Sequence, residues 1–400
     1  MIRLKDEIIK RADKIGDRLV DHRRRLHKIA EVGFELPNTL EYIKAALEKC
    51  GYEVRQVGRA GLVAETGDGE GKTVLLRADI DALPIGEESG VAYAAENGNM
   101  HACGHDIHTA MLLGAAEIIS NYLDKIHGRI IFVFQPAEEI LEGAKDMIEA
   151  GLLDCHIDYA MMIHVITGTE LQVGYTVVSS EGVSASSSDF FKITVTGKSA
   201  HGSTPNAGKD ALGCAARILL SIDGLPSREF AVSDDVTLSV GTFYSGVAAN
   251  VIAERAELCG TARAYSEDVR ARLIERLGDI THAISSAFGC EGEIEITSSC
   301  PTLKNDRECS IRTEKYAREL FGEQMCAFSS ELGTRGGGSD DFAYISQRAP
   351  SVMVAMSAGS VSEGYKYPIH NPRAAFSEDV ICRGAALFAY CGLRFLGDAD

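Results

Sequence analysis

The segment RIIFVFQPAEEILEGAKDMIEAGLLDCHIDYAMMIHV, residues 129–165, contains the pattern that decides the fold. Its two ends, 129–135 and 159–165, are apolar runs of strand length. Residues 138–150 between them have helical spacing and stop before Gly151, a residue type that commonly ends helices. Buried strands separated by helices are typical of a sheet whose strands run largely parallel. We therefore predict an α/β domain built around this segment.

The alternation of strands and helices continues on both sides of this segment and is interrupted once. A small polar stretch, SSEGVSASSS at 179–188, precedes a region whose elements are predicted in the order β-α-β-β-α-β. After Pro301 the alternation of predicted strands and helices resumes. Because 400 residues exceed one ordinary core, we predict two domains. Residues 1–182 and 300–400 form the predicted α/β domain, with a mixed, largely parallel sheet, and residues 183–299 form the smaller inserted domain.

The composition of the chain argues against several classes of function. Lys and Arg total 40 against 58 Asp and Glu, so the formal net charge is −18. Nucleic acids and anionic membranes would repel such a chain, and the one dense basic run, residues 22–25, lies within a helical pattern. We expect neither a signal peptide nor a membrane-spanning segment. The eleven cysteines are scattered without a C-x-x-C pair, which favours a reducing, cytoplasmic location.

The densest group of metal-binding residue types is MHACGHDIH at 100–108. Gly104 allows the backbone to turn ahead of the predicted helix, and residues two apart in an extended loop point the same way. Cys103 and His105 can therefore bind one ion, and thiolate with imidazole suits zinc and its neighbours. The alternative explanation is a polar loop in which Asp106 caps the helix.

Glu138 and Glu139 directly follow the predicted strand at 129–135. Acidic residues after Pro136 are also what the first turn of an ordinary helix contains. A functional interpretation requires two different tasks for the pair. One carboxylate would bind a metal ion while its neighbour accepts a proton from water.

Asp79, Asp81 and His164 also lie at predicted strand ends, where a turn or a core histidine is the ordinary explanation. A carboxylate in such a position can hold a metal-binding imidazole in one tautomer. The carboxyl ends of parallel strands share one edge of a sheet, where ligands bind. Because residues of metal-binding type recur at that edge, we expect a site there. His370, in the sequence HNP, indicates by itself only a turn.

The inserted domain contains three further candidates. His201 lies in GKSAHGSTP at 197–205, between a strand and a helix, and the residues alone leave open whether it is functional or incidental. Asn250 and Arg263 bracket a predicted strand. Arg is suited to binding a carboxylate, although surface Arg residues are common.

Together these segments resemble the amidohydrolase branch of the aminoacylase/carboxypeptidase G metallopeptidase family, which includes hippurate hydrolase, N-acetyl-diaminopimelate deacetylase and auxin-conjugate hydrolases. The CGHD-x-H and QPAEE motifs, in this order and at this spacing, are highly specific. The resemblance runs nearly from end to end and covers HRRRLHKIAEVGFE at 22–35, LLRADIDALPI at 75–85, MHACGHDIHTAMLLGAA at 100–116, FQPAEE at 134–139, GKSAHGSTPNAGKDA at 197–211, NVIAE at 250–254, GTAR at 260–263, GSDDFA at 338–343 and HNP at 370–372.

The resemblance implies a metal-dependent amidohydrolase with two divalent ions, drawn from zinc, manganese, nickel and cobalt. It implies that Glu138 is the general base and that Asp81 orients a metal-binding histidine. His201 would enter the active site of a partner subunit and polarise the scissile carbonyl, so the inserted domain would be the lid and the interface of a homodimer or higher homo-oligomer. Asn250 and Arg263 would contact substrate. The implied metal ligands are Cys103, His105, Glu139, His164 and His370.

The expected reaction is hydrolysis of the amide bond in a small N-acyl amino acid or a peptide-like compound. The alternatives are a dipeptidase or carboxypeptidase on the same scaffold, a catalytically silent metal-binding protein, and a cysteine hydrolase with Cys103 as nucleophile. The presence of both Glu138 and Glu139 argues against the silent protein, because binding alone needs one carboxylate.

Overall fold

The protein consists of two compact units in a computed structural model, which describes residues 2–333 and 338–397. The first unit comprises three stretches of the chain, residues 2–184, 304–333 and 344–397. The second comprises residues 185–303 and 338–343. The segment 338–343 thus groups with the second unit, whereas the sequence pattern grouped it with the α/β domain.

The elements are numbered along the chain. The helices are α1 (Ile2–Ile29), α2 (Pro37–Lys49), α3 (His105–Ile119), α4 (Gly143–Glu149), α5 (Ala211–Asp223), α6 (Leu225–Arg228), α7 (Glu267–Ala287), α8 (Arg307–Phe321), α9 (Ser329–Leu332), α10 (Ala343–Ser346) and α11 (Val380–Gly397). The strands are β1 (Val54–Val57), β2 (Gly61–Gly67), β3 (Thr73–Asp79), β4 (Arg129–Gln135), β5 (Tyr159–Ile166), β6 (Thr176–Val178), β7 (Gly182–Ala185), β8 (Ser188–Thr196), β9 (Ala200–His201), β10 (Thr237–Ser245), β11 (Val251–Ile252), β12 (Arg255–Arg263), β13 (Glu291–Cys300), β14 (Leu303–Asn305), β15 (Cys326–Phe328) and β16 (Ser351–Ser357).

The first unit is built on one mixed sheet. Among the described residues its strand order is β1-β2-β4-β3-β5-β16-β6-β15. At its centre β3 runs parallel to both β4 and β5, and β16 runs parallel to β5. The strands β3 and β4 are almost wholly buried, as expected for parallel strands covered on both faces. The prediction of an α/β fold with a mixed, largely parallel sheet is confirmed.

Helix α11 is long and apolar enough, by length and composition, to cross a membrane. In the protein most of this helix is buried, and it packs against α1, α3 and β3. Its apolar side chains belong to the same hydrophobic cluster as those of α1 and α3. It is therefore a core helix of the first unit.

The second unit is an antiparallel sheet in the order β10-β12-β8-β13, with α5 and α7 contributing to its core. Its main elements follow the predicted order β-α-β-β-α-β. The short strands β9 and β11 pair with each other, so that Ala200 and His201 lie opposite Ile252 and Val251. Strand β10 is an edge strand, and most of its residues are exposed.

The predicted helix at 138–150 was wrong at its start, because the helix begins only at Gly143. Ala137 and Leu141 have φ angles of 55° and 60°, a left-handed conformation that interrupts a helix. The intervening residues form a tight loop in which the amide of Gly143 donates to the carbonyl of Ala137 over 3.2 Å. A Cβ atom at Gly143 would lie 1.6 Å from the carbonyl oxygen of Pro136, so the loop requires glycine there.

Candidate metal centre

The carboxyl ends of β3, β4 and β5 lie along one edge of the first sheet and carry most of the candidate residues. Asp79 ends β3, and Glu138 and Glu139 lie in the loop after β4. His164 lies near the end of β5. Cys103 and Gly104 precede α3, where Gly104 has a φ of 86°. This edge of the parallel strands is where the sequence pattern predicted a site.

The five predicted metal ligands meet at this edge. The sulfur of Cys103 lies 3.2 Å from Nε2 of His370 and 3.5 Å from Nε2 of His164. Oxygens of Glu139 lie 3.5 Å from Nε2 of His370 and 3.8 Å from Nε2 of His105. The ligand atoms form two trios, each within 4.8 Å, and Cys103 belongs to both. The trios are Cys103, His105 and His164, and Cys103, Glu139 and His370.

The hydrogen bonds of two histidines leave the required nitrogen available. Nδ1 of His105 lies 2.9 Å from the carbonyl oxygen of Asp81, and Nδ1 of His164 lies 2.8 Å from the carbonyl oxygen of Val165. Because a carbonyl oxygen only accepts, each Nδ1 must donate a proton. Nε2 of each ring, which lies in the cluster, is therefore the nitrogen available to a metal ion.

His370 reaches the cluster from a distant loop. Its amide donates to the carbonyl of Ala102 over 2.9 Å, which places it beside Cys103. Its φ angle is 63°, an uncommon conformation for a residue other than glycine. The imidazole is half exposed, so this side of the cluster faces solvent. The turn indicated by HNP is present, and the same turn carries a candidate ligand.

Asp81 connects the end of β3 to the other candidates. Its carboxylate accepts hydrogen bonds from the amides of Glu138 and Glu139, over 3.0 and 3.3 Å. Its carboxylate oxygen lies 3.6 Å from Nδ1 of His105, and the shorter contact is to the carbonyl oxygen of Asp81. Asp81 thus contacts the imidazole mainly through its backbone carbonyl, whereas the resemblance implied a contact through its carboxylate.

His108 and Asp79 support the candidate ligands. The sequence pattern indicated no role for His108 and only a general supporting role for Asp79 at a strand end. The amide of Val165 donates to Nε2 of His108 over 2.7 Å, so Nδ1 of His108 carries the proton that Oδ1 of Asp79 accepts over 2.6 Å. Both nitrogens of His108 are therefore engaged. Arg77 donates to the other oxygen of Asp79 over 2.7 Å. The spacing of His105 and His108, three residues apart on one helix face, was the available signal.

Two features of the cluster fit a divalent metal of borderline softness. Among the described residues, Nε2 of His105 and Oε1 of Glu139 are buried without a hydrogen-bond partner. Thiol, imidazole and carboxylate together are the ligand types of zinc and its neighbours, whereas magnesium and calcium prefer oxygen alone. Burial raises the pKa of Glu139 to about 7 and raises the pKa of the Cys103 thiol above its usual range. A nearby cation would oppose both effects.

The remaining candidates lie in the second unit. The amide of Ser203 donates to Nδ1 of His201 over 3.1 Å, so the imidazole carries its proton on Nε2, and the side chain is exposed. The guanidinium of Arg263 donates to Oγ of Ser339 over 3.0 Å and is half-buried. Asn250 is exposed, and its carbonyl accepts the amide of Gly202 over 2.7 Å. His201 lies in β9, and Asn250 directly precedes β11, the strand that pairs with β9. The two residues are therefore neighbours.

Comparison with known proteins identifies related chains over almost the whole length. A thermostable carboxypeptidase of Saccharolobus solfataricus is 33% identical over 390 residues, covering 96% of both chains. An N-acetylcysteine deacetylase of Bacillus subtilis is 30% identical over 383 residues, covering 94% of this chain and 97% of the relative. The crystal structure of a dinuclear metal binding peptidase of the M20 family from Bacillus subtilis matches with a TM-score of 0.79 and 28% identity. It covers 96% of this chain and 99% of that chain.

The family model described as Peptidase family M20/M25/M40 matches residues 75–393, which include all five candidate metal ligands, the second unit and most of the first unit. This match confirms the resemblance found in the sequence motifs. The relatives are hydrolases, and the matched region contains the residues expected to carry the chemistry. The chain therefore belongs to peptidase family M20/M25/M40 and is a metal-dependent hydrolase of the amidohydrolase and peptidase type.

Proposed function

We propose that this enzyme hydrolyses the amide bond of small N-acyl amino acids, with two divalent metal ions and with Glu138 as the general base. The observation that carries the proposal is the convergence of five ligand side chains beside a second, adjacent carboxylate. Each of the two trios would hold one ion, and Cys103 is a member of both. Zinc, manganese, nickel and cobalt are the candidates for the ions.

The two metal ions, when bound, lower the pKa of a water molecule toward neutrality and polarise the amide carbonyl. Glu138 is largely buried, and its carboxylate lies 3.9 Å from Nε2 of His105, next to the ligand set. It accepts the proton of the attacking water and passes it to the leaving amine. Asp81 holds the amides of Glu138 and Glu139 and so fixes the two carboxylates in their separate tasks.

His201 is the proposed donor to the oxygen that becomes negative during attack. Its Nδ1 accepts the amide of Ser203, so the exposed Nε2–H is available to a substrate carbonyl. A fixed donor to a developing oxyanion commonly contributes about 10²- to 10³-fold to turnover. Arg263 and Asn250 are the proposed contacts to the substrate, with the guanidinium of Arg263 suited to a carboxylate.

The N-acyl amino acid is preferred over a dipeptide as the substrate class. The Bacillus subtilis relative is named as a deacetylase of an N-acetyl amino acid, and the Saccharolobus solfataricus relative as a carboxypeptidase, so both classes occur in the family. A neutral acyl group brings no positive charge close to two cations, whereas the free ammonium of a dipeptide does.

A matched pair of substrates tests this preference. Benzoylglycine and phenylalanylglycine share the leaving amino acid and an aromatic ring, and acetyl- and indoleacetyl-amino acids extend the panel. With manganese, zinc, nickel or cobalt added in turn, we expect kcat/KM for benzoylglycine to exceed that for phenylalanylglycine by about 10-fold. A reversed preference would support the dipeptidase or carboxypeptidase alternative.

We also propose that the enzyme is a cytoplasmic homodimer that associates through the second unit. Strand β10 lies at one edge of the sheet among the described residues, and Tyr244 on it is 67% exposed. Leu220 on the neighbouring helix α5 is 74% exposed. An exposed edge strand beside exposed apolar side chains favours pairing with a second copy. Buried thiols such as Cys214 and Cys391 fit a reducing location.

Complementation between two inactive variants tests whether His201 acts on the partner subunit. Glu138→Gln and His201→Ala are each expected to have very low activity. If His201 acts in trans, equal mixing after subunit exchange restores about a quarter of wild-type activity, since half the dimers are mixed and one of their two sites is intact. If mixing restores no activity although mass spectrometry detects mixed dimers, action in trans is excluded.

A further inference from the structure

Cys103 and His105 lie at the end of a long irregular segment. Residues 80–104 contain no helix or strand apart from isolated bridges at Ala82, Leu83 and Met100. A segment without regular backbone hydrogen bonds needs other contacts to hold its side chains at fixed positions. The position of two candidate metal ligands therefore depends on what anchors this segment.

Asp106 is the residue next to His105, and it is fully buried. Its Oδ2 accepts a hydrogen bond from Nε of Arg23 over 2.7 Å and lies 2.8 Å from Nδ1 of His27. Both partners belong to α1, a helix of 28 residues. The beginning of α3 is therefore tied to a long helix through the residue that follows His105.

The same helix also holds the middle of the irregular segment. Nε2 of His27 lies 3.1 Å from both oxygens of Glu87, and Glu87 in turn accepts the amide of Ala95 over 3.0 Å. Arg23 also contacts the hydroxyl of Tyr93. One group of side chains thus connects α1 to the segment before Cys103 and to the helix after it.

The side chains of this group form ion pairs and are almost completely buried. We call it the α1 charge cluster, and its members are Arg23, His27, Glu87 and Asp106. Their side chains are at most 2% exposed. Burial lowers the pKa of His27, but the carboxylates of Asp106 and Glu87 outweigh it and raise this pKa to about 9. Within the cluster two cations contact two anions, Arg23 pairs in addition with Glu378, and removal of one member leaves a buried charge without one of its partners.

We propose that the α1 charge cluster is a positioning element that sets the metal affinity of the site by holding Cys103 and His105 at their required spacing. The inference rests on the proposed metal centre. The members of the cluster do not belong to the candidate ligand trios. The cluster members hold the backbone before and after Cys103 in place. Supporting residues act in this way in metal sites, because metal affinity depends on how the ligands are oriented.

Arg23 and Arg24 provide a matched pair of variants for the test. Both are arginines of α1 and both pair with Glu378, but the side chain of Arg23 is 1% exposed and that of Arg24 is 50% exposed. Chelator-treated, full-length protein is titrated with Co²⁺, and binding is followed by the thiolate-to-cobalt charge-transfer absorption of Cys103. We expect Arg23→Met to weaken Co²⁺ binding about 10- to 100-fold and Arg24→Met to change it less than about 2-fold.

A second variant covers the case in which Arg23→Met does not fold. Glu87→Gln keeps the size of the side chain, alters the cluster at its contact with His27, and is expected to weaken Co²⁺ binding about 3- to 10-fold. Thermal unfolding of each metal-free variant separates stability from positioning. A variant of Arg23 or Glu87 that is folded, less stable and unchanged in Co²⁺ affinity and charge-transfer intensity would overturn the proposal. If the wild-type protein shows no Cys103-dependent absorption, the proposed metal centre itself fails.

Discussion

Replacement of Glu138 by Gln is expected to lower kcat by about 10²- to 10⁴-fold while the metal content stays unchanged. Gln keeps the shape of the side chain but has no carboxylate to accept the proton of the attacking water. The backbone amide of residue 138 still donates to Asp81, so the loop that carries Glu139 is retained. Steady-state kinetics and elemental analysis of the same preparation measure the two quantities.

Glu139→Gln is the matched control because the two residues are adjacent and lie in the same loop. Glu139 contacts both His370 and His105, so its replacement is expected to reduce metal content together with activity. This contrast separates a base from a ligand. Glu138→Gln protein that retains wild-type kcat would refute the proposed mechanism, and metal loss equal to that of Glu139→Gln would show that Glu138 is instead a ligand.

Replacement of Cys103 by Ala is expected to have the second large effect, because Cys103 belongs to both ligand trios. Loss of a supporting residue lowers metal affinity about 10- to 100-fold, so loss of a shared ligand should lower it by more than about 100-fold. We expect activity at limiting metal concentration to fall in parallel. Equilibrium dialysis against cobalt and kinetic assays over a range of metal concentrations measure both effects.

Cys214→Ala is the control for a general effect of thiol loss, since Cys214 is a buried cysteine of the second unit. The same experiment distinguishes a metal hydrolase from a cysteine hydrolase. Burial raises the pKa of the Cys103 thiol, which is opposite to the activation of a nucleophilic cysteine. An enzyme that keeps its activity after chelation and loses it only with Cys103→Ala would instead have Cys103 as nucleophile.

The edge of the sheet that carries the site could be predicted because it follows from strand order alone. The apolar strands before Asp79 and Glu138, and the strand that contains His164, are long and buried, and parallel strands bring their ends together. Cys103 and His105 were recognisable from residue type and spacing. For His370 the local sequence indicated only a turn, because the contact between its amide and the carbonyl of Ala102 spans most of the chain.

The local geometry of the loop after β4 could not be predicted. Acidic residues after a proline favour the start of a helix, but Ala137 and Leu141 adopt positive φ angles that neither residue type favours. The contacts that compensate for this strain come from Asp81, which lies 57 residues before Glu138. Local propensity contains no information about such a contact, so the helix was predicted five residues too early.

The burial of Arg23 also could not be predicted from the sequence pattern. A run of one histidine and three arginines at residues 22–25 indicates a solvated helix face, and Arg24 and Arg25 do lie on such a face. Arg23 is buried because Asp106, 83 residues away, provides a carboxylate inside the protein. His27 lies four residues after Arg23 on the same face of α1, and this spacing was the only local sign of a shared partner.

The number of metal ions bound per chain tests the central claim most directly. Wild-type protein reconstituted with zinc, manganese or cobalt and freed of excess metal should contain close to two ions per chain by mass spectrometry, and Cys103→Ala protein should contain far fewer. A wild-type chain that retains one ion or none under these conditions, or a Cys103→Ala chain that retains two, would contradict the account.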